Sequence, residues 1–249
     1  MTSFEKPSQP PKAVGGEHLE NEYYERYNSV FDLEMMNSRI QNIQLPEDTA
    51  SHIREQDRNT FLVLGSATTK NINGVTKIVH YLHGKESTPN DFVVIVDIND
   101  TSIALHERAI RELDEVDSWS KTSVRESGGD IFPYPQFKVE KDDIRSLSQE
   151  ADSIDVAISD YTINYLDSEE DVMKFFSEVH RVLKEKGIMY IALRYLKDSE
   201  FLQKTNQGGA EICTLSLDEY KRLAQEAGLN ILANDASGGG DALFVFGKV

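Results

Sequence analysis

Four carboxylates and one turn of small residues stand where this chain could do chemistry. The apolar run Phe61–Leu64 ends in Gly65–Ser66–Ala67, and about thirty residues later Phe92–Val96 ends in Asp97–Ile98–Asn99. Further on come Lys141–Asp142–Asp143 and Asp160–Tyr161–Thr162. A tight turn of small residues lets backbone approach a ligand, and an acid at the end of the next strand can accept bonds from ribose hydroxyls. No lysine followed by Ser or Thr stands in the first loop, so a phosphate cradle of the Walker type is absent. A ligand with a nucleoside and a positive charge, but no phosphates, suits this set better than a nucleoside triphosphate.

These residues need elements to position them. Each apolar run is too short for a helix, and strand and helix patterns alternate from Phe61 onward. Strands are expected at Phe61–Gly65, Phe92–Asp97, Phe137–Glu140, Ile154–Ser159 and Ile188–Leu193. Between them, Ile72, Val75, Ile78, Val79 and Leu82 mark one helix face, and Ile103, Ile110, Leu113 and Val116 another, with His106 packed beside it. Ser168 with Asp171 opens a helix burying Val172, Phe175, Phe176, Val179, Val182 and Leu183, and Gly187 is read as its stop. Ser216 with Glu219 opens another, ended by Gly228. Leu229–Ala233, a turn at Ser237–Gly240 and Ala242–Gly247 close the chain, and so short a turn joins only antiparallel strands. The fold class is therefore α/β: a Rossmann-like open, mostly parallel sheet with helices on both faces and a C-terminal antiparallel hairpin.

Three regions follow: a polar, proline-bearing tail at 1–17, an N-terminal helical cap at 18–58 and an α/β domain at 59–249. Within the cap, Tyr24, Tyr27, Phe31, Met35, Met36 and Ile40 form an apolar stripe, Leu45–Pro46 breaks it, and Thr49–Arg58 is a further helical turn. Ser118–Pro135 is a long connection of the kind that is functional or mobile.

The 249 residues carry a formal net charge of −17, and no basic patch stands out. Such a surface repels phosphate backbones and anionic lipid, which argues against nucleic-acid and membrane partners and for a small molecule or a basic protein. One cysteine, Cys213, excludes an internal disulfide framework and a multi-cysteine metal site. No metal site is expected. No apolar run approaches the ~20 residues that span a bilayer, and a cytoplasmic location is expected.

From about Phe61 to Val249 the chain resembles the class I S-adenosylmethionine-dependent methyltransferases. The resemblance lies in the strand-end series, in Ile154–Leu166, in Glu178–Gly187 before the fifth strand, and in Tyr220–Leu229 as the last helix. It implies S-adenosyl-L-methionine as cofactor and methyl transfer as the reaction. It also assigns roles: Gly65, Ser66 and Ala67 to the methionine portion, Asp97 to the ribose hydroxyls, Ile98 to the adenine ring, and Asp142 (with Asp143 as rival) to the adenine amino group. Asp160 and Tyr161 would line the transfer end and are the catalytic candidates.

The chain departs from the family's G-x-G-x-G, keeping only its first glycine in Gly65–Ser66–Ala67–Thr68–Thr69, and Val63 stands where an acid is usual. Other readings stay open. Asp97 could be a solvated strand end, Asp142 and Asp143 a solvated loop, and Asp160–Tyr161 a helix lead-in. At the level of the whole chain, the alternative is a catalytically inactive, methyltransferase-like binding or regulatory protein. A nicotinamide-dependent oxidoreductase fits less well, because the interval to Asp97 is about thirty residues where ~20 is usual. A protein partner or a homodimer is compatible with the acidity and the apolar cap.

Overall fold

The computed structural model describes residues 39–65, 75–76, 78–79, 81–82, 90–112, 135–195, 204–205, 211–212, 214–238 and 240–248. The tail, most of the helical stripe, Ser66, Ala67, Cys213 and the Ser118–Pro135 connection, save Pro135, lie outside them.

Seven strands form the main sheet: β1 (Thr60–Leu64), β2 (Phe92–Asp97), β3 (Gln136–Lys141), β4 (Ile154–Asp160), β5 (Leu183–Arg194), β8 (Leu229–Gly238) and β9 (Asp241–Lys248). The short strands β6 (Lys204–Thr205) and β7 (Glu211–Ile212) pair only with each other. The main order is β3-β2-β1-β4-β5-β9-β8, parallel from β3 to β5 and antiparallel for the last two. This is the expected fold class. The helices that matter for the site are α1 (Glu47–Glu55), α2 (100–112), α3 (Glu169–Val182) and α4 (Leu217–Glu226).

Alternation along β1 shows why both faces are covered. Leu62 and Leu64 join Val94, Val96, Ala157, Met189 and Ile191 in one core, capped by Phe175, Phe176 and Val179 of α3 and by Tyr220 and Leu223 of α4. Phe61 and Val63 join Val93, Ile95, Val156 and Ile158 in the other, beneath Ile40, Val75, Ile78, Val79 and Ile53 of α1. Central strands buried on both sides read as unbroken apolar runs, as β1, β2 and β4 do.

The helix starts behave as their sequences require. The Ser168 hydroxyl accepts the Asp171 N–H at 3.1 Å. Ser216 and Glu219 form a reciprocal capping box. Gly228 follows α4 at φ +91°, and a Cβ there would meet His180 Nε2 at 2.9 Å.

The largest departures from the expected boundaries lie at the α3–β5 junction and in the closing hairpin. α3 ends at Val182, so Leu183 opens β5 instead of closing the helix, and Gly187 lies inside the strand. The cause is a bulge. The β4–β5 register jumps from Ile154↔Leu183 to Val156↔Ile188, Lys186 takes φ +64°, and a Cβ at Gly187 would lie 2.8 Å from the Lys184 carbonyl oxygen. The hairpin is also longer than expected, because β8 runs on to Gly238 through two register irregularities.

Two buried aspartates serve the opposite, amino-terminal edge of the sheet. Asp91 accepts the Asn59 N–H, while Asp155 accepts the Thr60 N–H and pairs with Lys184 at 2.7 Å. Among the described residues, no helix is long and apolar enough to cross a membrane.

Candidate active site

The strand order sets the carboxyl edge. Moving across it, one meets Asp142 and Asp143 after β3, Asp97 at the end of β2, Gly65 after β1, and Asp160 with Tyr161 at β4. Three strand spacings of ~4.8 Å separate β3 from β4, so the row spans ~14 Å. Connections leave β1 in one direction and β4 in the other, which makes the gap between them a topological switch point, where open α/β sheets bind ligands.

Asp97 is only 6% exposed. Its Oδ1 accepts the Asn99 N–H at 2.9 Å and its Oδ2 accepts the Ser102 hydroxyl at 2.8 Å. Burial raises its pKa; the bonds from Asn99 and Ser102 and the charge of His106 pull the other way. Asn99 in turn caps α2, its Oδ1 accepting the Thr101 and Ser102 N–H groups. His106 is buried and contacts the Ser102 carbonyl at 2.7 Å, the packed role expected of it. The Ile98 N–H also lowers the Asp97 pKa, and a carboxylate's roughly four acceptor sites are not exhausted by these three donors. Ile98 is half-buried beside it.

The rival acids after β3 are separated by their partners. Asp143 is gripped by the Arg145 guanidinium at 2.6–3.1 Å and also accepts the Arg145 N–H. Burial alone would raise its pKa, but Arg145 holds it below the usual carboxylate range. Asp142 is bound by neutral donors instead: Oδ2 accepts both donors of Ser148 at 2.7 and 2.8 Å, and Oδ1 accepts the Asp143 N–H. Its own N–H donates to the Asp97 carbonyl at 3.0 Å, so the two acid-bearing ends are joined.

Gly65 turns the chain at φ +66°, with its N–H on the Val96 carbonyl at 2.9 Å. The space its side chain would fill is already taken. A Cβ there would lie 2.1 Å from Thr162 Cγ2 and 2.6 Å from its Oγ1. The requirement for glycine therefore has a cause inside the protein as well as any ligand.

Tyr161 has φ +56°, a conformation costing a tyrosine about 1–3 kcal/mol and common at functional turns. Its N–H donates to Ala192 O, and the Arg194 guanidinium lies over its ring, 5.6 Å from the centroid. Burial pushes its hydroxyl up to about 12, with Asp241 and Asp160 adding to the rise. Burial likewise raises Asp160 to about 7; Arg39 opposes the rise and Asp241 adds to it. The two nearby cations have acidic partners of their own. Arg39 donates to the Asp235 carbonyl at 3.0 Å and sits 3.6 Å from its carboxylate, while Arg194 approaches Asp241 at 3.5 Å. Among the described residues no hydrogen bond reaches the Asp160 carboxylate.

The site thus brings together Gly65, Asp97, Ile98, Asp142 and Asp160–Tyr161, and ties Asp143 to Arg145. Sequence reasoning missed Thr162, Arg39 and Arg194. For Thr162 the only signal was a hydroxyl two places beyond the fourth strand-end acid.

Residues 86–191 match the family model described as a methyltransferase domain. The matched segment holds β2 to β4, α3 and most of β5, with Asp97, Asp142, Asp143, Asp160 and Tyr161 among its residues. The match begins after β1, so it leaves out Gly65–Thr69, the stretch of sequence that departs from the G-x-G-x-G pattern. Solved structures agree on the fold. A protein from Pyrococcus horikoshii is 19% identical, with 92% of this chain and 100% of that one covered at a TM-score of 0.56. An S-adenosylmethionine-dependent methyltransferase from Clostridium acetobutylicum is 13% identical, covering 92% and 98%, also at 0.56. Geranyl diphosphate C-methyltransferase from Streptomyces coelicolor, solved with Mg2+, geranyl diphosphate and S-adenosyl-L-homocysteine, is 13% identical, covering 94% and 86% at 0.56. A search of curated protein sequences found no match.

Proposed function

We propose that this chain is a class I methyltransferase that transfers a methyl group from S-adenosyl-L-methionine to a small-molecule acceptor. The observation that carries the reading is the row of strand ends on one edge: Asp142, Asp97, Gly65 and Asp160, in that order across the sheet. In this reading Asp97 holds the ribose through its remaining lone pairs, Ile98 lies against the adenine, and Asp142 accepts from the adenine amino group. Asp143, committed to Arg145, keeps the loop in shape. Gly65 is assigned to the methionine arm, together with Ser66 and Ala67, which lie outside the described residues.

When bound, the cofactor supplies the electrophilic methyl group. The chain itself must align the acceptor and exclude water. A base is needed only for an acceptor protonated at neutral pH. Asp160 suits that role, being a half-buried carboxylate poised near neutrality, with both neighbouring arginines engaged elsewhere. Tyr161, with its hydroxyl pushed well above neutrality, offers a ring or a proton donor, not a base.

The second reading, a domain that no longer catalyses, draws on Asp97, whose two oxygens already have internal partners at 2.8–2.9 Å. Calorimetric titration with S-adenosylmethionine and S-adenosylhomocysteine separates the two. Heat from both, with a saturable single site, is expected; no heat from either at millimolar concentration would count for the inactive module.

A further inference from the structure

The Thr162 hydroxyl lies 2.8 Å from the Leu64 carbonyl oxygen and 2.9 Å from that of Gly65, and 3.4 Å from that of Asp160. One O–H is thus shared between two successive carbonyls at the exit of β1, ninety-seven and ninety-eight residues away in the chain. The methyl group of the same side chain fills the place of a Gly65 Cβ. Thr162 also opens the 3-10 turn Thr162–Tyr165, whose Asn164 is fastened to β5 by bonds to both the N–H and the C=O of Arg194, at 2.9 and 3.1 Å. The turn that bears Asp160 and Tyr161 is therefore anchored on one side to β5 and on the other to the bend after β1.

We propose that Thr162 is a positioning residue that holds the β1 bend in cofactor-binding shape and joins it to the transfer end. This rests on the reading of the bend as the cofactor's seat. In a G-x-G-x-G turn the glycines leave the backbone room to adopt its conformation. Here only Gly65 remains, and Ser66 and Ala67 each carry a Cβ that disfavours positive φ. A side chain reaching over from the turn after β4 supplies from outside the constraint on the carbonyls of Leu64 and Gly65. Serine at 162 would keep the shared hydroxyl, whereas valine would keep the shape and lose it.

The test is calorimetric titration of the full chain with S-adenosylhomocysteine, for wild type, Thr162→Ser and Thr162→Val, each well below its own thermal midpoint. Thr162→Ser is expected within threefold of wild type. Thr162→Val is expected at least tenfold weaker, a difference of ~1.4 kcal/mol, with the folded state intact by circular dichroism. A purely structural role would lower the midpoint of Thr162→Val and leave its affinity unchanged; that result overturns the proposal. Thr162→Ala guards against a valine variant that fails to fold. If both are unfolded while wild type binds, Thr162 holds the fold and not the ligand turn, and the proposal falls. No binding by wild type removes the cofactor reading itself, and the role of Thr162 with it.

Discussion

Gly65→Ala is the sharpest perturbation available, because two separable costs meet at one atom. Alanine in a left-handed conformation such as φ +66° costs about 1–2 kcal/mol. The added methyl would also lie 2.1 Å from Thr162 Cγ2, far inside contact distance, and forcing a group into filled space costs about 1–3 kcal/mol. The folded state should thus lose roughly 2–5 kcal/mol, the sum of those two ranges. Urea unfolding followed by circular dichroism measures it, with the slope checked for constancy. The steric part belongs to a pair, so Thr162→Ala in the Gly65→Ala background should recover part of it. A coupling of about 1 kcal/mol or more, against additivity within ~0.5 kcal/mol for independent sites, is expected. Gly65→Ala within ~0.5 kcal/mol of wild type, or strict additivity in the double variant, would refute the claim that Thr162 occupies the glycine's space.

Other outcomes follow from the same geometry. Asp160 holds its proton to about pH 7 when folded and to about 4 when unfolded. The folded state therefore binds the extra proton between those values, and stability falls as pH rises through that window, by on the order of 2–4 kcal/mol. Asp160→Asn should flatten that slope in pH-dependent unfolding; an unchanged slope would mean the carboxyl is ionised throughout. If Asp160 is the base, the methyl-transfer rate should climb as pH rises through about 7 and lose that limb in Asp160→Asn. Asp97→Asn should weaken S-adenosylhomocysteine binding more than tenfold by calorimetry, since a buried ribose contact would be lost; unchanged affinity would free Asp97 of that role. Asp142→Ala should likewise weaken adenosyl binding, whereas Asp143→Ala should chiefly lower the thermal midpoint by stranding Arg145. The reverse pattern would exchange their roles.

The strands and helix starts were legible in the sequence because their causes are local. Phe61–Leu64 and Phe92–Val96 are apolar on both faces, and Ser168 and Ser216 sit three residues before the acids that complete their caps. What escaped depends on distant groups. Gly187 resembles a helix stop, but its position is fixed by a bulge against Ile154, a strand away. Gly65 was legible as a turn, yet its crowding by Thr162 arises only when β1 and β4 lie side by side. The four acids were legible as strand ends, while their differences came from partners: Arg145 for Asp143, Ser102 for Asp97, and none among the described residues for Asp160. Arg39 and Arg194 gave no sign in the chain, since their relevance comes from where β8 and β9 begin and end.

The central claim is that an adenosyl group lies across the ends of β2 and β3, with its methionine arm at the bend after β1. A crystal of the full chain grown with S-adenosylhomocysteine tests it most directly. Ribose density is expected within hydrogen-bond distance of Asp97, adenine between Ile98 and Asp142, and the sulfur between Gly65 and Asp160. Side chains closing that crevice, or the ligand bound elsewhere, would contradict it.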